Sequence, residues 1–114
     1  MVGIDIVKVA RLKKILKNPD KIFFDEELKY FQQKQNKPEL IAGHYAAKEA
    51  IMKVFDCCKD LVFKDIEIYH AENGKPMAKL YNLAFNEFQQ KKYTQINISI
   101  SHECDFAVAI AEVK

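Results

Sequence analysis

Residues 46–53 read Ala-Ala-Lys-Glu-Ala-Ile-Met-Lys and place three charged side chains among apolar ones. On a helix, residues four apart lie on one face, so Glu49 and Lys53 project side by side, with Lys48 next to them. The small alanines leave room for another element or a ligand to come close. A carboxylate and two amines on such a helix suit a site that holds a metal and phosphates together. The simplest alternative is a surface helix with one ordinary Glu–Lys ion pair.

The same segment belongs to the longest predicted helix. Residues 37–39 (Lys-Pro-Glu) are typical of a helix start, because proline is tolerated in the first turn. Apolar residues at helical spacing continue to about Phe55. Near the N-terminus, residues 2–7 alternate with a period of two, which predicts a strand with Asp5 on the face opposite to Ile4.

The remaining segments predict strands and short helices on both sides of the long helix. A basic amphipathic helix follows the first strand and is broken at residues 18–20, and Asp25 is a candidate cap for the next helix. Further predicted elements are a strand at 65–70, an Asn73-Gly74 turn, a strand at 77–80, a helix at 82–92 and an antiparallel hairpin of 96–101 with 106–111. We predict one α+β domain spanning residues 1–114, with a mainly antiparallel sheet packed against the long helix.

The balance of charge restricts the class of partner. The chain has 18 basic and 16 acidic residues, and a net charge of +2 is too mild to indicate nucleic acid as the main partner. Five basic residues nevertheless lie within residues 8–17, without an acidic one. This run predicts a docking face for an acidic partner, and a solvated lysine-rich helix is the alternative.

Cysteine usage and hydropathy indicate the compartment. Cys57 and Cys58 are adjacent and Cys104 stands alone, with no metal-ligand spacing, which is typical of free thiols in a reducing cytoplasm. The first residues lack the apolar run that would predict a signal peptide, and no apolar stretch is long enough to span a bilayer. We therefore expect a cytoplasmic protein without a membrane partner.

Asp5 is the first candidate for chemistry. A lone carboxylate in an apolar strand is costly unless it is paired or ligated, although an edge strand could turn Asp5 toward water. Asp5 and Glu49 together would form a typical Mg²⁺ site, since Mg²⁺ takes one or two carboxylates plus substrate phosphates. The sequence leaves open whether the two side chains meet.

Three lysines and one histidine are candidate phosphate contacts. Lys48, Lys53 and Lys75 could each bind phosphate as a point charge, although each alone could be an ordinary surface lysine. His102 lies at a strand end, where it could donate to a phosphate or pair with Asp105. A purely structural histidine is the alternative there.

Taken together and in this order, the motifs resemble the holo-acyl-carrier-protein synthases, the small bacterial type of 4′-phosphopantetheinyl transferase. The resemblance spans essentially the whole chain. The matching segments are GIDI at 3–6, AGHYAAKEA at 42–50 with Lys53, DIEI at 65–68, NGKP at 73–76, SISH at 99–102 and AVA at 107–109.

The resemblance implies an enzyme with the 4′-phosphopantetheinyl transferase fold. Such enzymes transfer the phosphopantetheine arm of coenzyme A to a serine hydroxyl of apo-acyl carrier protein, need Mg²⁺, release adenosine 3′,5′-bisphosphate and support fatty acid biosynthesis. They form homotrimers with active sites at subunit interfaces. Asp5 and Glu49 match the metal ligands, and Lys53 matches a lysine that assists departure of the α-phosphate. Glu49 is also a hypothetical general base.

The resemblance also implies the binding residues. Lys48, Lys75 and His102 match positions that line the coenzyme A phosphates, and His44 stands where many members carry an arginine for the same purpose. The docking residues that it implies are Arg11 and Lys14, on the basic first helix that meets the acidic carrier protein.

Two other classes of function fit the sequence less well than the enzyme. A non-catalytic module that binds coenzyme A or a carrier protein would not need Asp5, Glu49 and Lys53 together. A nucleic-acid-binding protein would use the basic residues 8–17, but the mild net charge and the lack of an aromatic and basic platform disfavour it.

Overall fold

A computed structural model describes residues 1–55 and 60–114 of the chain. The strands are β1 (Val2–Lys8), β2 (Ile66–His70), β3 (Pro76–Leu80), β4 (Ile96–Glu103) and β5 (Phe106–Val113), and the helices are α1 (Leu12–Ile15), α2 (Asp25–Gln33), α3 (Pro38–Val54) and α4 (Asn82–Gln90). Short 3₁₀ turns lie at Val9–Arg11, Pro19–Lys21 and Phe63–Asp65. The predicted α+β class is confirmed.

The strands form two antiparallel sheets. In the three-stranded sheet β5 lies between β1 and β4, and β2 pairs with β3 in a separate two-stranded sheet. The turn between β2 and β3 contains Gly74, whose φ of 87° lies in the left-handed region that favours glycine. The prediction of a mainly antiparallel sheet is therefore confirmed, with the strands divided between two sheets.

Helix α3 packs closely on one face of the three-stranded sheet. Its alanines face the buried alanines of β5, so the backbones approach each other more closely than large side chains would allow. The approach is tightest at Gly3, where an added Cβ would lie 2.0 Å from the carbonyl oxygen of Ala50. Glycine at position 3 thus lets β1 come against α3, and this contact sets the position of Asp5.

The other face of the three-stranded sheet is apolar and uncovered. We call it the open sheet face, and its most exposed apolar residues are Val2, Ile4, Ile6, Phe106 and Ile110. The three residues from β1 are each between 57% and 61% exposed. Contiguous apolar surface of this kind marks an interaction site in soluble domains.

The alternation predicted for β1 is present, but the buried face is the one that contains the carboxylate. Asp5 is only 9% exposed and lies with Gly3 and Val7 on the side of α3. The alternative in which Asp5 faces water is therefore wrong, although β1 is an edge strand. The helix needs a small residue beneath it, and Gly3 provides one only on this face.

The segment after β1 is shorter and less regular than predicted. A 3₁₀ turn precedes a helix of four residues, α1, in place of one continuous amphipathic helix. Leu12 and Ile15 are buried as predicted, whereas Leu16 is 37% exposed.

Helix α2 begins differently from the prediction. Asp25 is its first helical residue and not its cap; the N-cap is Phe24. The backbone N–H of Phe24 donates to Glu27 Oε1 at 3.1 Å, so the carboxylate three residues later satisfies the helix start.

The cysteines are described only in part. Cys104 is a free, exposed thiol, and Cys57 and Cys58 lie outside the described residues.

None of the described helices combines the length and the apolar character that crossing a membrane requires.

Candidate active site

Asp5 and Lys53 meet where β1 contacts α3. Lys53 Nζ donates to Asp5 Oδ1 at 3.0 Å and to the carbonyl oxygen of Ile4 at 2.9 Å. Asp5 Oδ2 is buried and has no hydrogen-bond partner among the described residues. Because a buried carboxylate oxygen without a partner is costly, this atom is suited to accept a cation or a donor from a bound molecule.

Glu49 lies one helical turn before Lys53 and beside Tyr45. Burial, a hydrogen bond to Glu49 and the negative charges of Glu49 and Asp5 together raise the pKa of Tyr45 to about 12, although the positive charge of Arg11 opposes the shift. The Tyr45 hydroxyl therefore stays protonated near neutral pH and donates to the Glu49 carboxylate. Both carboxylates act on one hydroxyl, which places them around the same point of the fold.

Glu49 and Lys53 lie on the same face of α3, as predicted. The alternative interpretation, an ordinary ion pair between them, is wrong, because Lys53 forms its ion pair with Asp5. The carboxylate of Asp5 lies within reach because Gly3 brings β1 against the helix.

Two neighbouring clefts open at this point. The first, which we call the Glu49 cleft, has a volume of about 440 Å³ and is lined by Tyr45, Glu49, Met52, Lys53 and Phe63.

The second, the Arg11 cleft, has a volume of about 410 Å³ and contains Arg11, Lys14 and Lys21 in its wall. Tyr45 and Phe63, whose rings stack with centroids 5.1 Å apart, line both clefts. The predicted partner-binding residues therefore adjoin the predicted catalytic residues.

Lys48 lines neither the Glu49 cleft nor the Arg11 cleft. Its side chain is fully buried, and Nζ donates to Glu27 Oε1 and to the carbonyl oxygen of Ile66, both at 2.6 Å. Burial lowers the pKa of Lys48, and the charge and hydrogen bond of Glu27 oppose that shift. Lys48 exposes no atom to a phosphate in this arrangement, which corrects the prediction of a direct phosphate contact.

His44 is also buried and needs the same correction. Its ring is 1% exposed, with Nδ1 at 3.0 Å from Glu27 Oε2 and Nε2 at 2.9 Å from His70 Nε2. Burial is the main cause that lowers the pKa of His44, although Glu27 opposes it. Both His44 and Lys48 therefore serve a buried network centred on Glu27.

Lys75 and His102 are exposed and line neither the Glu49 cleft nor the Arg11 cleft. Lys75 follows the Gly74 turn, where its backbone N–H donates to Asn73 Oδ1 at 3.0 Å. His102 lies near the end of β4, opposite Ala107 of β5. Within one chain, these two residues do not join the group formed by Asp5, Glu49 and Lys53.

Four residues with a place in these sites were not singled out by sequence reasoning: Glu27, Tyr45, Phe63 and His70. The spacing of Tyr45 to Glu49, four residues on a helix, is a signal that could have identified the first contact. Glu27 and His70 carry no such signal, because their partners are distant in sequence.

The chain matches known proteins along nearly its whole length. The model of the 4′-phosphopantetheinyl transferase superfamily matches residues 1–111. A holo-[acyl-carrier-protein] synthase from Caldicellulosiruptor bescii is 42% identical over 113 residues, covering 96% of this chain and 93% of that relative.

Solved structures of holo-acyl-carrier-protein synthases also match the chain along nearly its whole length. The Helicobacter pylori holo-[acyl-carrier-protein] synthase in complex with coenzyme A matches with a TM-score of 0.84 and 30% identity, covering 100% of both chains. The holo-(acyl-carrier-protein) synthase from Bacillus anthracis in complex with coenzyme A (3′,5′-ADP) matches with a TM-score of 0.76 and 32% identity, covering 98% of this chain and 92% of that one.

The chain therefore belongs to the 4′-phosphopantetheinyl transferase superfamily. Within it, the relatives define an enzyme of the holo-[acyl-carrier-protein] synthase type. The resemblance stated from the sequence motifs is confirmed.

Proposed function

We propose that this chain, as a single domain of residues 1–114, transfers the 4′-phosphopantetheine group of coenzyme A to a serine of apo-acyl carrier protein. Adenosine 3′,5′-bisphosphate is the second product. The observation that carries the proposal is the buried Oδ2 of Asp5, which has no hydrogen-bond partner among the described residues, in a carboxylate that Lys53 binds through Oδ1. The matched synthases that contain coenzyme A support the choice of donor.

The proposal includes Mg²⁺, and the residues fit this ion. Asp5 Oδ2 and the Glu49 carboxylate would hold it, since Mg²⁺ needs only one or two carboxylates when phosphates and water complete its coordination. No cluster of three or more metal-ligating side chains occurs among the described residues. When bound, Mg²⁺ would neutralise charge on the pyrophosphate of coenzyme A.

The chain's own residues position the reacting groups. Lys53 fixes the Asp5 carboxylate through Oδ1, which leaves Oδ2 directed away from the ion pair. The side chain of Lys53 is 55% exposed, so its ammonium can also meet a phosphate oxygen as the leaving group departs. Tyr45 holds Glu49 by its hydroxyl, and Glu49 is the candidate acceptor of the serine proton.

Contacts to the other phosphates of coenzyme A are assigned to Lys75 and His102, which are both exposed. Because neither lines the Glu49 cleft of its own chain, they would act there from a neighbouring subunit. The open sheet face supports a homotrimer, since its apolar residues would be covered in such an assembly. In such a homotrimer, the active sites would lie at the subunit interfaces.

We also propose that the protein acts in the cytoplasm and supports fatty acid biosynthesis and lipid metabolism. The donor and acceptor chemistry supports the pathway, because acyl carrier proteins need a phosphopantetheine arm to carry acyl groups. The free thiol of Cys104 agrees with a reducing compartment.

One experiment tests the proposed reaction. The protein is incubated with coenzyme A, Mg²⁺ and an apo-acyl carrier protein, and the carrier is weighed by mass spectrometry. We expect the carrier to gain the mass of phosphopantetheine, and a carrier whose acceptor serine is replaced by alanine to gain none. An unchanged mass of the intact carrier would refute the transferase and leave a binding module in its place.

The Arg11 cleft makes a separate prediction about the carrier protein. Replacing both Arg11 and Lys14 by alanine should raise the KM for the carrier about tenfold and leave kcat nearly unchanged, because these charges steer an acidic partner. The rise should shrink with added salt, which screens the attraction.

Lys17 is the matched control for this test. It is an exposed basic residue of the same segment and does not line the Arg11 cleft. Lys17→Ala should change the KM by less than about twofold. Equal effects of the two variants would show that net charge matters and the cleft does not.

A further inference from the structure

An apolar groove lies between the basic segment of residues 8–17, helix α2 and the start of α3. We call it the α1 groove, and its volume of about 560 Å³ exceeds that of the Glu49 cleft or the Arg11 cleft. The apolar side chains in its wall are Val9, Leu12, Leu16, Leu28, Phe31 and Ile41. Lys13 is the one charged side chain among the described residues that line it. Such an apolar space suits the apolar side chains of a partner.

The groove exists because the apolar stripe of the basic segment is only partly covered. Leu12 and Ile15 are 6% and 7% exposed, whereas Leu16 is 37% exposed. Helix α1 ends at Ile15, and Leu16 is its C-cap. Leu28 lines the same groove from α2 and is half-buried. Two elements therefore turn apolar surface toward a space that the described residues do not fill.

The exposed surface beside the groove is basic. Arg11, Lys13 and Lys14 are exposed, and none of them forms an ion pair with a described residue. Residues 8–17 contain no acidic side chain. Cations around an apolar groove are complementary to a partner that is acidic and has an apolar face. A fatty acid fits less well, because its single carboxylate would match only one of the three cations.

The α1 groove and the Arg11 cleft lie on two sides of one short helix. Lys13 lines the groove, whereas Lys14 lines the cleft. Helix α1 has four residues and is about 6 Å long, and a partner helix with its side chains is about 10 Å wide. One helix that crosses α1 can therefore contact both sides. The groove shares no residue with the exposed apolar residues of the open sheet face, so the two surfaces can serve different partners.

We propose that the α1 groove receives the apolar side chains of an acidic amphipathic helix of the carrier protein, while the acidic side chains of that helix meet Arg11, Lys13 and Lys14. Binding of the apolar face of a helix in a groove is a common mode of recognition. This inference rests on the proposed function, which supplies the carrier protein as the acidic partner. It extends the docking surface from the Arg11 cleft across α1 and adds Leu16 and Leu28 to it.

The variant Leu16→Lys separates the groove from the attraction of charges alone. The protein is titrated with a fluorescently labelled apo-acyl carrier protein whose acceptor serine is replaced by alanine, so that no transfer occurs. We expect the Kd to rise about fivefold to tenfold, because an apolar contact is lost. If the basic charge alone attracted the carrier, an added lysine would tighten binding instead. An unchanged or lower Kd would therefore overturn the proposal.

Two further variants complete the titration. Phe85→Lys is the matched control, since Phe85 is 44% exposed on α4 and lines neither the α1 groove nor the Arg11 cleft. Its Kd should stay within about twofold of the wild type, because a charge away from the contact surface is screened by salt. Leu28→Lys should weaken binding as Leu16→Lys does, and it decides the test if Leu16→Lys does not fold by circular dichroism. A changed assembly mass in light scattering, with an unchanged Kd, would assign the groove to a second copy of the chain and refute the proposal.

Methyl NMR of the wild type, labelled at leucine and isoleucine, locates the contact. Adding the same carrier should shift the methyl signals of Leu16 and Leu28, and Leu83 on α4 is the reference that should not shift. Shifts confined to Ile15 and Ile22, which line the Arg11 cleft, would contradict the extended surface. Leu16 and Leu28 signals that respond to sodium octanoate but not to the carrier would assign the groove to a fatty acyl chain, which also refutes the proposal.

The failure of this inference differs from the failure of the proposed function, because neither the titration nor the NMR spectra require transfer. A wild type that binds the carrier through Leu16 and Leu28 but adds no phosphopantetheine retains the groove and loses the transferase. A Leu16→Lys enzyme that transfers the group with a normal KM for the carrier loses the groove and retains the transferase.

Discussion

Glu49→Ala is expected to lower kcat about a thousandfold or more, because it removes one of the two carboxylates proposed to hold Mg²⁺ at the reacting phosphates. The fold should survive, since Glu49 is half-buried and alanine is the better helix former. Transfer is measured by the mass gain of the carrier protein at saturating coenzyme A and Mg²⁺, and the assembly state by light scattering. Glu49→Gln, which keeps the shape and removes the charge, should lose nearly as much activity.

Glu39 provides the matched control on the same helix. It lies in the first turn of α3 and does not line the Glu49 cleft, so Glu39→Ala should keep its rate within about threefold of the wild type. If Glu49→Ala retained a near-normal rate when Mg²⁺ is added, the assignment of Glu49 as a metal ligand would be wrong.

Lys48→Met is expected to have the largest effect on stability. It should lower the free energy of unfolding by about 3–5 kcal/mol, because it leaves the fully buried Glu27 without its ammonium partner. The expected fall in melting temperature is roughly 10–20 °C. Calorimetry or thermal circular dichroism of the ligand-free protein measures this change.

Two further variants separate structure from function at Lys48. Lys53→Met removes a lysine whose side chain is 55% exposed, so it should cost less stability than Lys48→Met, about 1–2 kcal/mol, because the buried Asp5 carboxylate still loses its ammonium partner. The same variant should reduce transfer. Adding Glu27→Gln to Lys48→Met should restore part of the lost stability, because the unpaired charge is removed. A Lys48→Met protein with wild-type stability and poor affinity for coenzyme A would return Lys48 to the phosphate site.

The elements with strong periodicity were predictable from the sequence. The apolar spacing of α3 and its proline start gave a helix close to the observed Pro38–Val54, and two alternating runs gave the β4–β5 hairpin. Short segments without a regular period, such as α1, were predicted less well because packing against α3 determines where their turns end.

The periodicity of β1 could not show which of its faces is buried. An alternating strand has one apolar and one mixed face, and ordinarily the apolar face would be covered. Here the close approach of Gly3 to Ala50 selects the mixed face, and Asp5 is buried as a result. This contact between distant residues is also what brings Asp5 to Lys53.

The roles of Lys48 and His44 depend on partners far away in the sequence. Glu27 is 21 residues from Lys48 and 17 from His44, and His70 is 26 residues beyond His44. No local pattern distinguishes a lysine that meets such a partner from one that meets a phosphate. The motif identified the family correctly, whereas the tertiary contacts define what each of its residues touches.

The reaction centre is proposed to lie where β1 meets α3, between Asp5 and Glu49. Crystals grown with coenzyme A and Mn²⁺ in place of Mg²⁺ test this most directly, because anomalous diffraction locates the metal independently of activity. We expect one strong peak per subunit within about 2–2.5 Å of Asp5 Oδ2 and a Glu49 oxygen, or separated from Glu49 by one bound water. A metal bound to coenzyme A but away from both carboxylates would contradict the account.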